Sequence, residues 1–248
     1  MAEPDRVVRL TGDETLPAWR SVVELHAAGL SHSLTLVGGL MVYAHARAAG
    51  LTSPRPTTDA DVLVDVLASR LNLTEVSAGL TSMGFELASE YTTAYRFRHP
   101  DARVVDVMVA DHLPSHVRTR LAGRPAFRAP AGQQAINRRE LWRLEFADDT
   151  NCSIGVPNVL GALVAKGAAW IVDNRNPERH LQDAATLFAA VGDASALDYD
   201  LSTNDRKRLR ALRDQLQDPR HAAWGLLDAQ ERLLGQQNLQ LLARAARL

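Results

Sequence analysis

The chain of 248 residues holds one cysteine, Cys152, so it can form neither an intramolecular disulfide nor a cysteine-built zinc site. Lysine is almost as scarce. Against 26 arginines stand only Lys166 and Lys207, so each lysine invites the question why an arginine would not serve. No apolar run approaches the roughly twenty residues that span a bilayer, so no membrane association is expected. The opening MAEPDRVVRLTGDE lacks the basic start and apolar core of a secretory signal, which leads us to expect a cytoplasmic protein. A net charge of −1 gives no global pull toward nucleic acid. Internal repeats and low-complexity tracts are absent too.

What is present is an ordinary globular composition, 46% hydrophobic and 23% charged, in a chain long enough for one large domain or two small ones. Helical spacing at Trp19, Val22, Val23 and Leu30 predicts a helix over 16–30. SLTLV then reads as a short strand, Gly38-Gly39 as a turn, and LMVYAHARAAG as a helix closed by Gly50. A proline-containing loop leads to RPTTDADVLVDV, a strand by its alternating valines. Residues 67–83 read as a helix with Leu71, Leu73, Val76, Leu80 and Met83 on its apolar side. FELASEY, AYRFRH and ARVVDVMVAD supply further strands. Residues 111–156 look irregular, with strand pieces only around 126–128 and 153–156. Past Pro157 the pattern is wholly helical: 157–173, 177–191, 203–217, and 219 onward with a break. We therefore expect an α+β fold, with a sheet-bearing domain over 1–156 and a helical domain over 157–248.

Asp59 and Asp61 lie two apart in a strand, so both carboxylates point to one face, where they repel. Asp106 is a third strand carboxylate, on the face opposite Val105, Val107 and Val109. Such a group is costly unless protonated, paired or bound to a cation, and Mg²⁺ with its preference for hard oxygens answers the problem. An Asp-x-Asp pair alone is also common at strand ends. An EF-hand is excluded, because Leu63 and Val64 stand where its loop needs an oxygen ligand and a glycine. Gly38 and Gly39, between strand and helix, would let backbone N–H groups approach a phosphate, or simply make a tight turn. His45, His112, His116 and His180 have no metal-ligand spacing.

Taken together, LTLVGGLMVYAHA, RPTTDADVLVDV and VVDVMVAD resemble the DNA polymerase beta-like nucleotidyltransferase superfamily. Arg55-x-Thr57-x-Asp59-x-Asp61 resembles more specifically the AbiEii-type nucleotidyltransferase toxins of bacterial toxin–antitoxin systems. Those toxins also carry a lysine on a helix past the sheet and an aspartate one helix later, which here match Lys166 and Asp183. A helical wheel sets these two at the rim of apolar stripes, where they read equally as an ion pair bracing two helices. The chain departs from Gly-Ser members in following Gly38-Gly39 with Leu40, so it lacks their hydroxyl.

The resemblance implies a mixed sheet flanked by helices, with the helical domain closing the active-site cleft. It also implies two Mg²⁺ ions on Asp59, Asp61 and Asp106, with Lys166 and Asp183 as further catalytic residues. A nucleoside triphosphate would be held by Gly38, Gly39, Arg55, Thr57 and Lys166. The implied acceptor is RNA, in particular the 3′ end of tRNA, and a cognate antitoxin would be a partner. Two other readings stay open: an antibiotic-type enzyme that modifies a small hydroxyl compound, and a nucleotidyltransferase-like binding module without catalysis. In NDRKRLRALRDQL the basic residues form either a solvated helix face or a phosphate-backbone contact.

Overall fold

A computed structural model describes residues 3–10, 16–52, 55, 57–67 and 73–248. The chain divides into two compact units, Met1–Met41 with Thr57–Pro157, and Val42–Pro56 with Asn158–Leu248. Pro157 ends the last strand, and residues 42–56, expected with the sheet, belong to the helical unit.

The first unit is a mixed α+β structure. Its strands are β1 (Arg6–Leu10), β2 (Leu34–Val37), β3 (Asp59–Val64), β4 (Glu86–Leu87), β5 (Arg96–Arg98), β6 (Val104–Ala110), β7 (Arg120–Leu121), β8 (Arg124–Pro125), β9 (Arg128–Ala129), β10 (Arg139–Phe146) and β11 (Asn151–Pro157). Nine of them form one sheet in the order β1-β10-β11-β2-β3-β6-β5-β4, with β9 also pairing with β6. The pairs β1/β10, β11/β2, β3/β6 and β6/β9 are parallel, and the rest are antiparallel.

Helices α1 (Pro17–Ala27), α2 (Gly38–Ala48), α3 (Leu73–Ser82) and α4 (Gly132–Asn137) accompany the sheet, α2 running on into the second unit. Proline at the start of α1 costs no hydrogen bond there, and Trp19, Val22 and Leu25 bury one stripe against β3, β6 and β11. The helix expected over 67–83 is α3; Leu67 lies in a turn, and Leu71 falls outside the described residues.

The segment 111–156 is not irregular as expected. It contains the longest strand, β10, whose Trp142, Leu144 and Phe146 alternate into the core, and its hairpin partner β11. Trp19 of α1 meets Phe146 edge-on at 6.1 Å. β1, which the sequence did not suggest, is an edge strand laid parallel to β10.

The second unit contains α5 (Val159–Val172), α6 (Glu178–Ala189), α7 (Thr203–Leu216) and α8 (Ala229–Ala245). Capping is explicit: Asn158 accepts from the Gly161 amide, while Ser202 with Asp205 and Asp228 with Glu231 form capping boxes. The break before α8 is a 3₁₀ turn over Ala222–Leu226, pinned where buried Trp224 donates to the Leu216 carbonyl at 3.1 Å. α5 and α7 touch backbone to backbone, since a Cβ on Gly167 would lie 2.5 Å from the Arg208 carbonyl oxygen. No described helix is long and apolar enough to cross a membrane.

Candidate functional site

The parallel register of β3 and β6 sets Asp61 directly beside Asp106, with Asp59 two residues back on the same face. One oxygen from each of the three carboxylates lies within 4.8 Å of the others, so the group could hold a metal ion. Asp59 and Asp61 are half-buried, and Asp106 is only 6% exposed. Val105, Val107 and Val109 lie on the opposite, buried side of β6, as their alternation implies.

Val37, the last residue of β2, pairs with Asp61, and the chain turns there into α2. Gly38 makes that turn at φ +68, a region costly to any residue with a Cβ. Space excludes a side chain as well, because a Cβ would lie 1.8 Å from Oδ2 of Asp61. The glycine at the helix start is thus fixed by the carboxylate beside it. Gly39 follows as the second, buried residue of α2. Thr57 secures the start of β3, its hydroxyl donating to Oδ1 of Asp59 at 3.1 Å. Asp65, beyond the strand, accepts the Leu67 amide in a turn.

Arg96 is the member of this cluster that sequence reasoning missed. It stands across the antiparallel register from Asp106 and grips both carboxylate oxygens, Nε at 2.8 Å and Nη2 at 2.7 Å, with Nη2 3.7 Å from Asp59. Its guanidinium is flanked by the Tyr91 and Tyr95 rings, with centroids 6.0 and 5.7 Å away. Burial raises the Asp106 pKa, Arg96 opposes that rise, and the Asp59 charge adds to it. The Arg96 proton is held more firmly still, chiefly through its bond to Asp106. The signal was the alternation of AYRFRH, which aims Arg96 and Arg98 to one side of a strand bordering VVDVMVAD.

Arg55, Lys166 and Asp183 come together in the second unit. Lys166 donates to Oδ2 of Asp183 at 2.7 Å, and Arg55 brings Nε to Oδ1 at 3.0 Å and Nη2 to Oδ2 at 3.3 Å. The helical wheel set Lys166 and Asp183 at the rim of apolar stripes; they are instead 5% and 2% exposed. Burial alone would raise the Asp183 pKa, but the two cations overcome it and the net direction is down. Arg55, which the resemblance assigns to the triphosphate, is bonded to this carboxylate.

His180, one helical turn before Asp183 on α6, is pushed down by burial and by the Lys166 charge, although Nε2 bonds Asp173 at 2.9 Å. Cys152 is fully buried in β11, and burial pushes its thiol up to about 12, so it is inert as a nucleophile. Compared with known proteins, the chain matches no family model, no curated protein and no solved structure.

Proposed function

We propose that the chain is a metal-dependent nucleotidyltransferase with a DNA polymerase beta-like fold. It would transfer a nucleoside monophosphate from a nucleoside triphosphate to a hydroxyl of RNA, the 3′ end of tRNA, as the toxin of a toxin–antitoxin pair in the cytoplasm. The observation that carries this reading is the convergence of Asp59, Asp61 and Asp106 from two strands remote in sequence. Arg96 offsets one of these three like charges, and the hard carboxylate oxygens that remain suit Mg²⁺. Two such ions, when bound, supply charge neutralisation at the attacking and leaving oxygens of an in-line displacement.

Asp59 and Asp61 would hold the metal on the triphosphate side and Asp106 at the acceptor. Asp106, the most buried of the three carboxylates, would take the proton of the attacking hydroxyl. The hydroxyl oxygen bonds to the α-phosphorus, the bond from that phosphorus to the bridging oxygen breaks, and pyrophosphate leaves with the electron pair. Gly38 and Gly39 would offer amides at the positive end of α2, where a phosphate can come close to the backbone. Arg55, Lys166 and Asp183 serve as an ion-pair brace in the second unit, so the catalytic part of the proposal rests on the first unit alone.

One observation favours a second reading. Arg96 already occupies both oxygens of Asp106, as it would in a binding module that uses an arginine in place of a metal. The two readings part in one assay, with Mg²⁺, each labelled triphosphate in turn, and total RNA. Transfer of label to RNA, lost with chelator and reduced roughly a hundredfold or more by Asp61→Ala, is the expected result. Absence of label together with absence of triphosphate binding in calorimetry would leave the binding module standing.

A further inference from the structure

The last helices carry a charge balance unlike that of the rest of the chain. Residues 203–248 hold nine basic and five acidic side chains, a balance of +4 in a chain whose total is −1. Four of the five acids are spent on local structure: Asp205, Asp228 and Glu231 in the capping boxes, and Asp218 on the Arg220 amide. Asp214 pairs with Arg213. Among the described residues, the exposed side chains of Arg210, Arg244 and Arg247 have no ion pair or hydrogen bond.

Arg210 and Arg244 lie along one seam. α7 and α8 run antiparallel, since Arg206 donates to the Ala246 carbonyl at one end and Gln236 to the Pro219 carbonyl at the other. Helical spacing sets Arg206, Arg210, Arg213 and Gln217 on one edge of α7. Between that edge and α8 lies an open groove of about 380 Å³, a size suited to a small planar ligand. Its floor is apolar, from Leu216, Leu239 and Ala243, and Arg213 and Arg244 stand at its walls. The amides of Gln217 and Gln240 border the same space and offer donors and acceptors together.

We propose that this seam binds single-stranded RNA, the arginines taking its phosphates and the groove one unstacked base. A bare anion would need only the arginines. The apolar floor and the amides fit instead the flat face and polar edge of a base, which a strand outside a duplex can present. The inference rests on the proposed function in taking RNA to be the acceptor, and it assigns to the second unit a site for that acceptor.

The test is fluorescence anisotropy with a labelled RNA of about twelve nucleotides, without triphosphate, across a salt series. Arg210→Gln with Arg244→Gln should weaken binding at least tenfold and flatten the plot of log affinity against log salt by about 1.4, two single-strand phosphate contacts. Arg210→Lys with Arg244→Lys should keep most of the affinity. The same charge loss at exposed Arg9 and Arg118 should change little. Equal weakening by that control pair, unchanged binding by the seam variants, or equal competition by polyglutamate would overturn the proposal. Thermal melts exclude unfolding of the variants. Calorimetric titration with Mg²⁺ and triphosphate separates the two ideas. Triphosphate binding without RNA binding sinks the seam alone, whereas seam-dependent RNA binding without label transfer supports the seam and counts against catalysis.

Discussion

Asp183 is almost wholly enclosed, with Lys166 on one carboxylate oxygen and Arg55 reaching both. A lone carboxylate there would protonate, but the two cations reverse the balance and hold its folded pKa below the usual value near 3.8. A depressed carboxylate stabilises the fold above its unfolded pKa and loses that contribution as pH falls through the folded one. The unit should therefore lose stability below about pH 4. Asp183→Asn leaves two cations without their counter-charge, and we expect it to cost about 3–5 kcal/mol at pH 7 and to flatten the acid limb, read from urea melts at several pH values. The choice of lysine also has a physical sense. A compact ammonium can share Oδ2 with the planar fork of Arg55, which spans both oxygens.

The close pairing of α5 with α7 depends on Gly167, against which the Arg208 backbone rests. Gly167→Ala would force the helices apart, and overpacking of this kind costs about 1–3 kcal/mol in a melting experiment despite alanine's better helix propensity. This packing also marks where the sequence stopped being readable. The wheel of α5 alone placed Lys166 at a rim, because it could not show α6 and α7 packing against the same helix. Period was a sound guide where one element's own pattern decided the matter: β3, β6, α2 and the four C-terminal helices were legible. RELWRLEF alternates just as clearly, but flanking arginines and acids disguised β10 as loop. β1 has sense only beside β10, a partner more than a hundred residues away. The three aspartates could be named from spacing, yet Arg96 could not, because only the hairpin register brings it to Asp106. The need for glycine at 38 likewise arises from Asp61, on a different strand.

Across the whole molecule, the aspartate cluster predicts linkage between ligand and stability. Mg²⁺ with the right triphosphate at about 100 times its Kd should add about 2.7 kcal/mol, which for a chain of this size raises the apparent Tm by roughly 5–10 °C. Chelator should abolish the shift in scanning calorimetry, and Asp61→Ala should never show it. Charge is distributed as unevenly as function would be. Residues 1–202 carry a balance of −5 against the +4 of the last helices. The path of the chain limits how the protein can be taken apart. It leaves the first unit at Met41, returns at Thr57 and leaves again after Pro157. A fragment cut at that last crossing would hold Asp183 without Arg55, and Glu231 without the Thr52 amide and hydroxyl that bond it. The helical unit is thus not a cassette that one cut could release, and a gene split there would give halves that each lack part of the other's framework.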